Sequence, residues 1–223
     1  MALQKNPPPI ATRLLATIMC SMLVLAGCDD RVIPTVTVNL SEEQAKEIRD
    51  GFAGLTESVS AEDYLRLRDI IVESPGYDPY SSDLEKAGEL LAEGRPQEAK
   101  AMLDASFPNL VLSPRAHLLA AQIAMDKGEQ ELSSQEGLYA AVCLEGILRS
   151  GDGNAAMPYL VSRPSDEYDV VVYLDKRVTG QRLQQQDGRQ FDLLVLDDGS
   201  EVWFDVTVAF DAIGGNPIAV GNE

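Results

Sequence analysis

Residues 167–174 read "EYDVVVYL", and the fold class turns on what that run becomes. Before it, apolar residues recur every three or four positions; from Glu167 onward the period changes to alternation. The run Tyr168–Leu174, rich in valine, therefore reads as the first of four strands. "RVTGQRLQQ" (177–185), "FDLLVL" (191–196) and "EVWFDVTV" (201–208) read as the other three. Asp187-Gly188 and Asp198-Gly199 sit where tight hairpin turns favour left-handed backbone, so an antiparallel β-meander is expected. Gly180 inside the second run suggests a bulge or an edge. On the last run Val202, Phe204, Val206 and Val208 share a face that should pack on helices. Glu201, Trp203 and Asp205 share the other.

Working upstream, the chain is helical. Ser41 with Gln44 makes a capping box, and Ala45, Ile48, Phe52 and Leu55 fall on one face. Ser60 with Asp63 caps a second stripe of Tyr64, Leu67, Ile70 and Ile71. "ESPGYDPYSS" (73–82) then breaks the pattern. Two helix pairs follow. Leu84, Ala87, Leu90 and Leu91 stripe a helix that stops at Gly94, and Pro96 opens its partner. Ser113-Pro114 opens a third helix that ends at Gly128, and a fourth runs from about Leu132 to Arg149, with Gly151 as its expected left-handed cap. The stretch "LLAEGRPQEAKAML" (90–103) is weakly tetratricopeptide-like, although two hairpins fall short of the three repeats that a solenoid needs. Helices first and strands after define an α+β class. The expected layout is one domain over 41–211, helical over 41–150 and β over 166–211, with a flexible tail at 212–223.

The first 27 residues have the order of an export signal. Lys5 and Arg13 precede the apolar run Leu14–Leu25, and no acidic residue occurs before Asp29. The run is too short for an ordinary spanning helix. Leu25-Ala26-Gly27-Cys28 resembles the lipobox of bacterial lipoproteins, which implies lipid attachment at Cys28 and a tether over 28–40. Anchoring to a membrane from the periplasmic side of a cell envelope follows, with Asp29 favouring the inner membrane. Losing Lys5 and Arg13 leaves 16 basic residues against 36 acidic ones, a net charge of −20. Such a surface repels phosphate backbones and excludes nucleic acid as a partner. Cys143 would then have no disulfide partner.

Taken in order, "SAEDYLRL" (60–67), "GYDPY" (76–80), "GDG" (151–153), "DEYDVV" (166–171) and "VWFDV" (202–206) resemble the bacterial family known as domain of unknown function 4919. The similarity runs from about Ser60 to Phe210. It departs after Leu67, where that family has an aromatic-glycine turn and this chain continues "RDIIVESP". The resemblance implies the same architecture and an exported address. That family has no assigned activity, so no functional residue carries over.

Candidate chemistry is sparse. "SGDGN" (150–154) offers Asp152 and Asn154, too few ligands for calcium, and reads as a helix end with a turn. Asp166, Glu167 and Asp169 offer carboxylates, read here as solvated groups at a strand start; general acid–base work would need them to converge in a pocket. His117, the only histidine, reads as structural and Cys143 as a small buried hydrophobe. Trp203 and Tyr173, placed on one polar sheet face, form a possible ligand contact through stacking or cation–π attraction. The leading expectation is a non-enzymatic, lipid-anchored envelope module that binds a protein partner, with no cofactor and no metal. The alternatives are a carboxylate-dependent hydrolase using Asp152, Asp166 or Glu167, and a peptide- or sugar-binding protein.

Overall fold

The computed structural model describes residues 40–214. The export signal, Cys28, the tether up to residue 39 and the tail from residue 215 lie outside the described residues.

Six helices come first. Helix α1 (Glu42–Glu57) begins with the expected capping box: Ser41 Oγ accepts from the Gln44 N–H, and Gln44 Oε1 accepts from the Ser41 N–H, both at 3.1 Å. Helix α2 (Ala61–Val72) is capped by Ser60, whose Oγ accepts from the Asp63 N–H. Two hairpins follow, α3 (Asp83–Ala92) with α4 (Pro96–Ala105), and α5 (Pro114–Asp126) with α6 (Gln130–Arg149). The chain then forms β1 (Tyr159–Leu160), α7 (Ser165–Tyr173), β2 (Val178–Gln186), β3 (Arg189–Leu196), β4 (Glu201–Asp205) and α8 (Thr207–Ala212). Among the described residues no helix is long and apolar enough to cross a membrane.

The expectation of a strand over 168–174 is wrong: this segment is helix α7. Asp166, Glu167, Val170 and Val171 are buried while Val172 and Tyr173 are exposed. That is a helical stripe with neighbours four apart. Pro164 opens the helix with αR backbone angles, and Asp175 closes it with a positive φ of 55°. Strand preference in valine-rich runs describes fit to a half-buried pleated surface, and here tertiary packing overrides it.

The sheet keeps four strands, but they are mixed and not a pure antiparallel meander. Their order is β1-β4-β3-β2, with the unforeseen β1 parallel to β4. Gly180 sits at a register shift on edge strand β2. β4 ends at Asp205 and not at Val208, because the Asp205 carboxylate accepts the Thr207 N–H at 2.9 Å and turns the chain into α8.

The sheet's core face carries Leu194, Val202 and Phe204 against Val170 and Val171 of α7, Tyr64 and Leu67 of α2, and Ile147 of α6. Helices α2 and α6 approach closely at Gly146, where an added Cβ would lie 2.4 Å from the Tyr64 ring. Gly151 is not the left-handed cap expected. Its φ is not positive, and it is needed because a Cβ would lie 2.2 Å from the Pro158 carbonyl oxygen.

Candidate functional site

Asp192 lies in the run "FDLLVL", in register with Leu194 on β3 and opposite Phe204 on β4. The pleat therefore turns a carboxyl toward the core face. On neighbouring β2, Gln181 shares that face, and its amide donates to Asp192 Oδ2 at 2.9 Å. The Tyr168 hydroxyl, from α7, donates to Gln181 Oε1 at 2.8 Å, which directs the amide nitrogen toward Asp192. Strand and helix are thus joined by a Tyr168–Gln181–Asp192 chain of hydrogen bonds.

Next to Tyr168 on α7 and close to Asp192 is Glu167. The residue is fully buried, and neither carboxyl oxygen has a hydrogen-bond partner. Burial raises its pKa well above the usual range, and the nearby Asp192 and Asp166 raise it further. Its place in the first turn of α7 favours the anion by at most about 2 kcal/mol, whereas removing a carboxylate from water costs several. Desolvation wins, and burial favours the protonated form of Glu167. Asp192 is also raised, by burial, against the hydrogen bond from Gln181. Tyr80 and Tyr168 are partly exposed and lie close enough to Glu167 and Asp192 for the two carboxyls to raise their phenol pKa values beyond the effect of burial. They form the solvent-facing rim of the group.

Asp166 points elsewhere. Its Oδ1 accepts from Ser113 Oγ at 2.9 Å, its Oδ2 has no partner, and burial pushes its pKa up to about 7 against the opposing pull of Arg163. Arg163 is itself buried. It donates to the Asp78 carbonyl at 2.9 Å and to the Ser81 carbonyl at 2.8 Å, fixing the loop that carries Tyr80. Arg115 pairs with Asp169 Oδ1. The expectation that these acids are solvated at a strand start fails, because α7 turns Asp166 and Glu167 inward.

The possible contact of Trp203 with Tyr173 also changes. Trp203 is half-buried on β4, edge-on to Phe191 at 5.9 Å between centroids. Tyr173 is 61% exposed at the end of helix α7, so the two do not alternate on one sheet face. Asp152 is exposed on the turn after α6, and nothing brings it to Glu167. His117 stacks on Phe52 and has Glu136 and the Val111 carbonyl against its two nitrogens, as a structural histidine would. Cys143 is buried, and burial raises its thiol pKa well above the usual value, which keeps it unreactive. A cavity of about 310 Å³ beside His117 is lined by Arg49, Lys100, Phe107 and Glu136. Its Lys100 is already paired with Asp104 and its His117 with Glu136.

Tyr80, Tyr168, Gln181 and Asp192 escaped the reading of the sequence. Only Asp192 left a signal, as an acid at an apolar register position in "FDLLVL". No protein-family model, curated protein or solved structure matches the chain.

Proposed function

We propose that the protein is a lipid-anchored component of a bacterial envelope, held through acylated Cys28, whose folded domain binds a small polar ligand over Glu167. The observation that carries the binding site is Glu167 itself, buried with both carboxyl oxygens unpartnered. A native fold rarely keeps such a group without a ligand or a chemical task for it. The rim of Tyr80 and Tyr168, the oriented Gln181 and the second carboxyl at Asp192 supply convergent polar contacts of the kind that fix a ligand's orientation. A carboxyl that burial holds toward its protonated form, beside a second acid, is the equipment of a carboxylate-dependent hydrolase, with Glu167 as proton donor. Asp152 has no part in it.

The test is a thermal-shift screen of the full chain in detergent micelles against small polar metabolites, with Glu167→Gln in parallel. Compounds that stabilise the parent protein and leave the variant unmoved support the site. A screen in which every hit acts equally on both would count against it.

A second reading keeps the expected protein partner. Leu118 and Met125 on α5 and Leu138 on α6 are each more than half exposed. They favour docking along the weakly tetratricopeptide-like hairpins. Crosslinking in cells, repeated with Leu118→Lys and Leu138→Lys, tests it: an unchanged set of crosslinks would exclude this face.

A further inference from the structure

Glu167 and Asp192 are two carboxyls without a cation. Neither forms a salt bridge among the described residues, and the only direct partner of either is the neutral amide of Gln181. The charged and titratable groups that face them come from every neighbouring element. Asp166 and Tyr168 lie on α7, Tyr80 on the 74–82 loop, and Asp192 on β3. Arg163 is buried and donates through Nη1 and Nη2 to the Asp78 and Ser81 oxygens, while its Nε has no hydrogen-bond partner. Among the described residues the two carboxyls thus have no cationic partner, and the partly exposed Tyr80 and Tyr168 lie close to them.

From this we propose that the ligand is an organic cation, a protonated amine or quaternary ammonium group lying against Tyr80 and Tyr168 with its charge toward Glu167 and Asp192. The inference rests on the ligand-binding reading above and names its chemical class. Aromatic faces attract such cations by about 0.5–2 kcal/mol each, and an ammonium charge compensates the desolvation that otherwise keeps buried carboxyls neutral. A bare metal ion fits less well. Among the described residues no three His, Cys, Asp or Glu side chains are grouped to hold one, and hard cations take about six or more oxygens. A neutral polyol would leave the missing charge unsupplied.

A bound cation favours the ionised carboxyls, so any proton that burial holds on them is released on binding. Isothermal titration of the full chain in detergent micelles with putrescine, choline and glucose, in two buffers of different ionisation enthalpy, reads both affinity and proton release. The expected result is saturation by an amine with net proton release. Affinity should fall about tenfold or more in Glu167→Gln and in Asp192→Asn, and stay unchanged in Tyr173→Ala. Asp192→Asn keeps the experiment decisive if Glu167→Gln does not fold. Saturation by glucose without proton release, lost in Glu167→Gln, would overturn the cation and leave the ligand site standing. No binding of any of the three, together with thermal-shift hits indifferent to Glu167→Gln, would overturn both.

Discussion

Asn109 and Arg163 donate to the same backbone oxygen, the carbonyl of Asp78, at 2.7 and 2.9 Å. Each also bonds the Ser81 hydroxyl, at 2.9 and 3.2 Å. Two side chains far apart in sequence thus clamp the loop that carries Tyr80. Because they share acceptors, their contributions should not add. We expect Asn109→Ala to cost about 1–2 kcal/mol and Arg163→Leu about 3–5, since the latter removes a buried guanidinium and its contacts to Asp78 and Ser81 together. Urea denaturation of both single variants and the double variant checks this; strict additivity would rule out the shared clamp.

Asp166 predicts a pH dependence. Its folded pKa of about 7 lies above the unfolded value of 3.8, so the folded state binds the proton more tightly. The contribution to stability is full below about pH 4 and is lost as pH rises through about 7, amounting at most to about 4 kcal/mol. Asp166→Asn, which keeps an acceptor for Ser113, should flatten stability between pH 4 and 7 and stabilise the protein above it. Thermal melts across that range provide the measurement.

Glu167 predicts a trade of stability for function. Its carboxyl makes no hydrogen bond, so replacing it removes none. Glu167→Met should raise stability at pH 8 by about 1–3 kcal/mol while abolishing ligand binding. A clear loss of stability in guanidinium denaturation would mean that Glu167 has a structural partner after all.

Gly146→Ala should destabilise despite alanine's better helix propensity. The new Cβ would fall 2.4 Å from the Tyr64 ring, and Tyr64 is itself held by a hydrogen bond to the Leu160 carbonyl at 3.0 Å. Overpacking of about 1–3 kcal/mol outweighs the helix gain of about 1. A drop in melting temperature is the readout.

The anchor makes its own prediction. Mass spectrometry of the native N-terminus should find the chain starting at Cys28 and carrying acyl groups. Cys28→Ser should send the protein to the aqueous fraction. An intact N-terminus at Met1 would overturn the anchor.

Local chemistry made much of the helical half legible. Ser41, Ser60, Pro96 and Ser113-Pro114 mark helix starts by what their own atoms can do, and those starts lie within a residue or two of the observed ones. The turn at Asp187-Gly188 was equally local, with φ of 51° and 78°. β1 and α8 left no such mark. β1 has two residues and exists only because β4 offers it an edge, and α8 begins because Asp205 turns back on Thr207.

By itself the sequence determined the starts of α1, α2, α4 and α5, the Asp187-Gly188 turn and the net acidity of the chain, because each depends on near neighbours or on simple sums. Tertiary structure alone decided that the valine run would coil, and that Glu167 would be buried beside Asp192, twenty-five residues further on. A side chain's neighbours across space set its access to water, and water decides both which backbone form a valine prefers and whether a carboxyl carries charge.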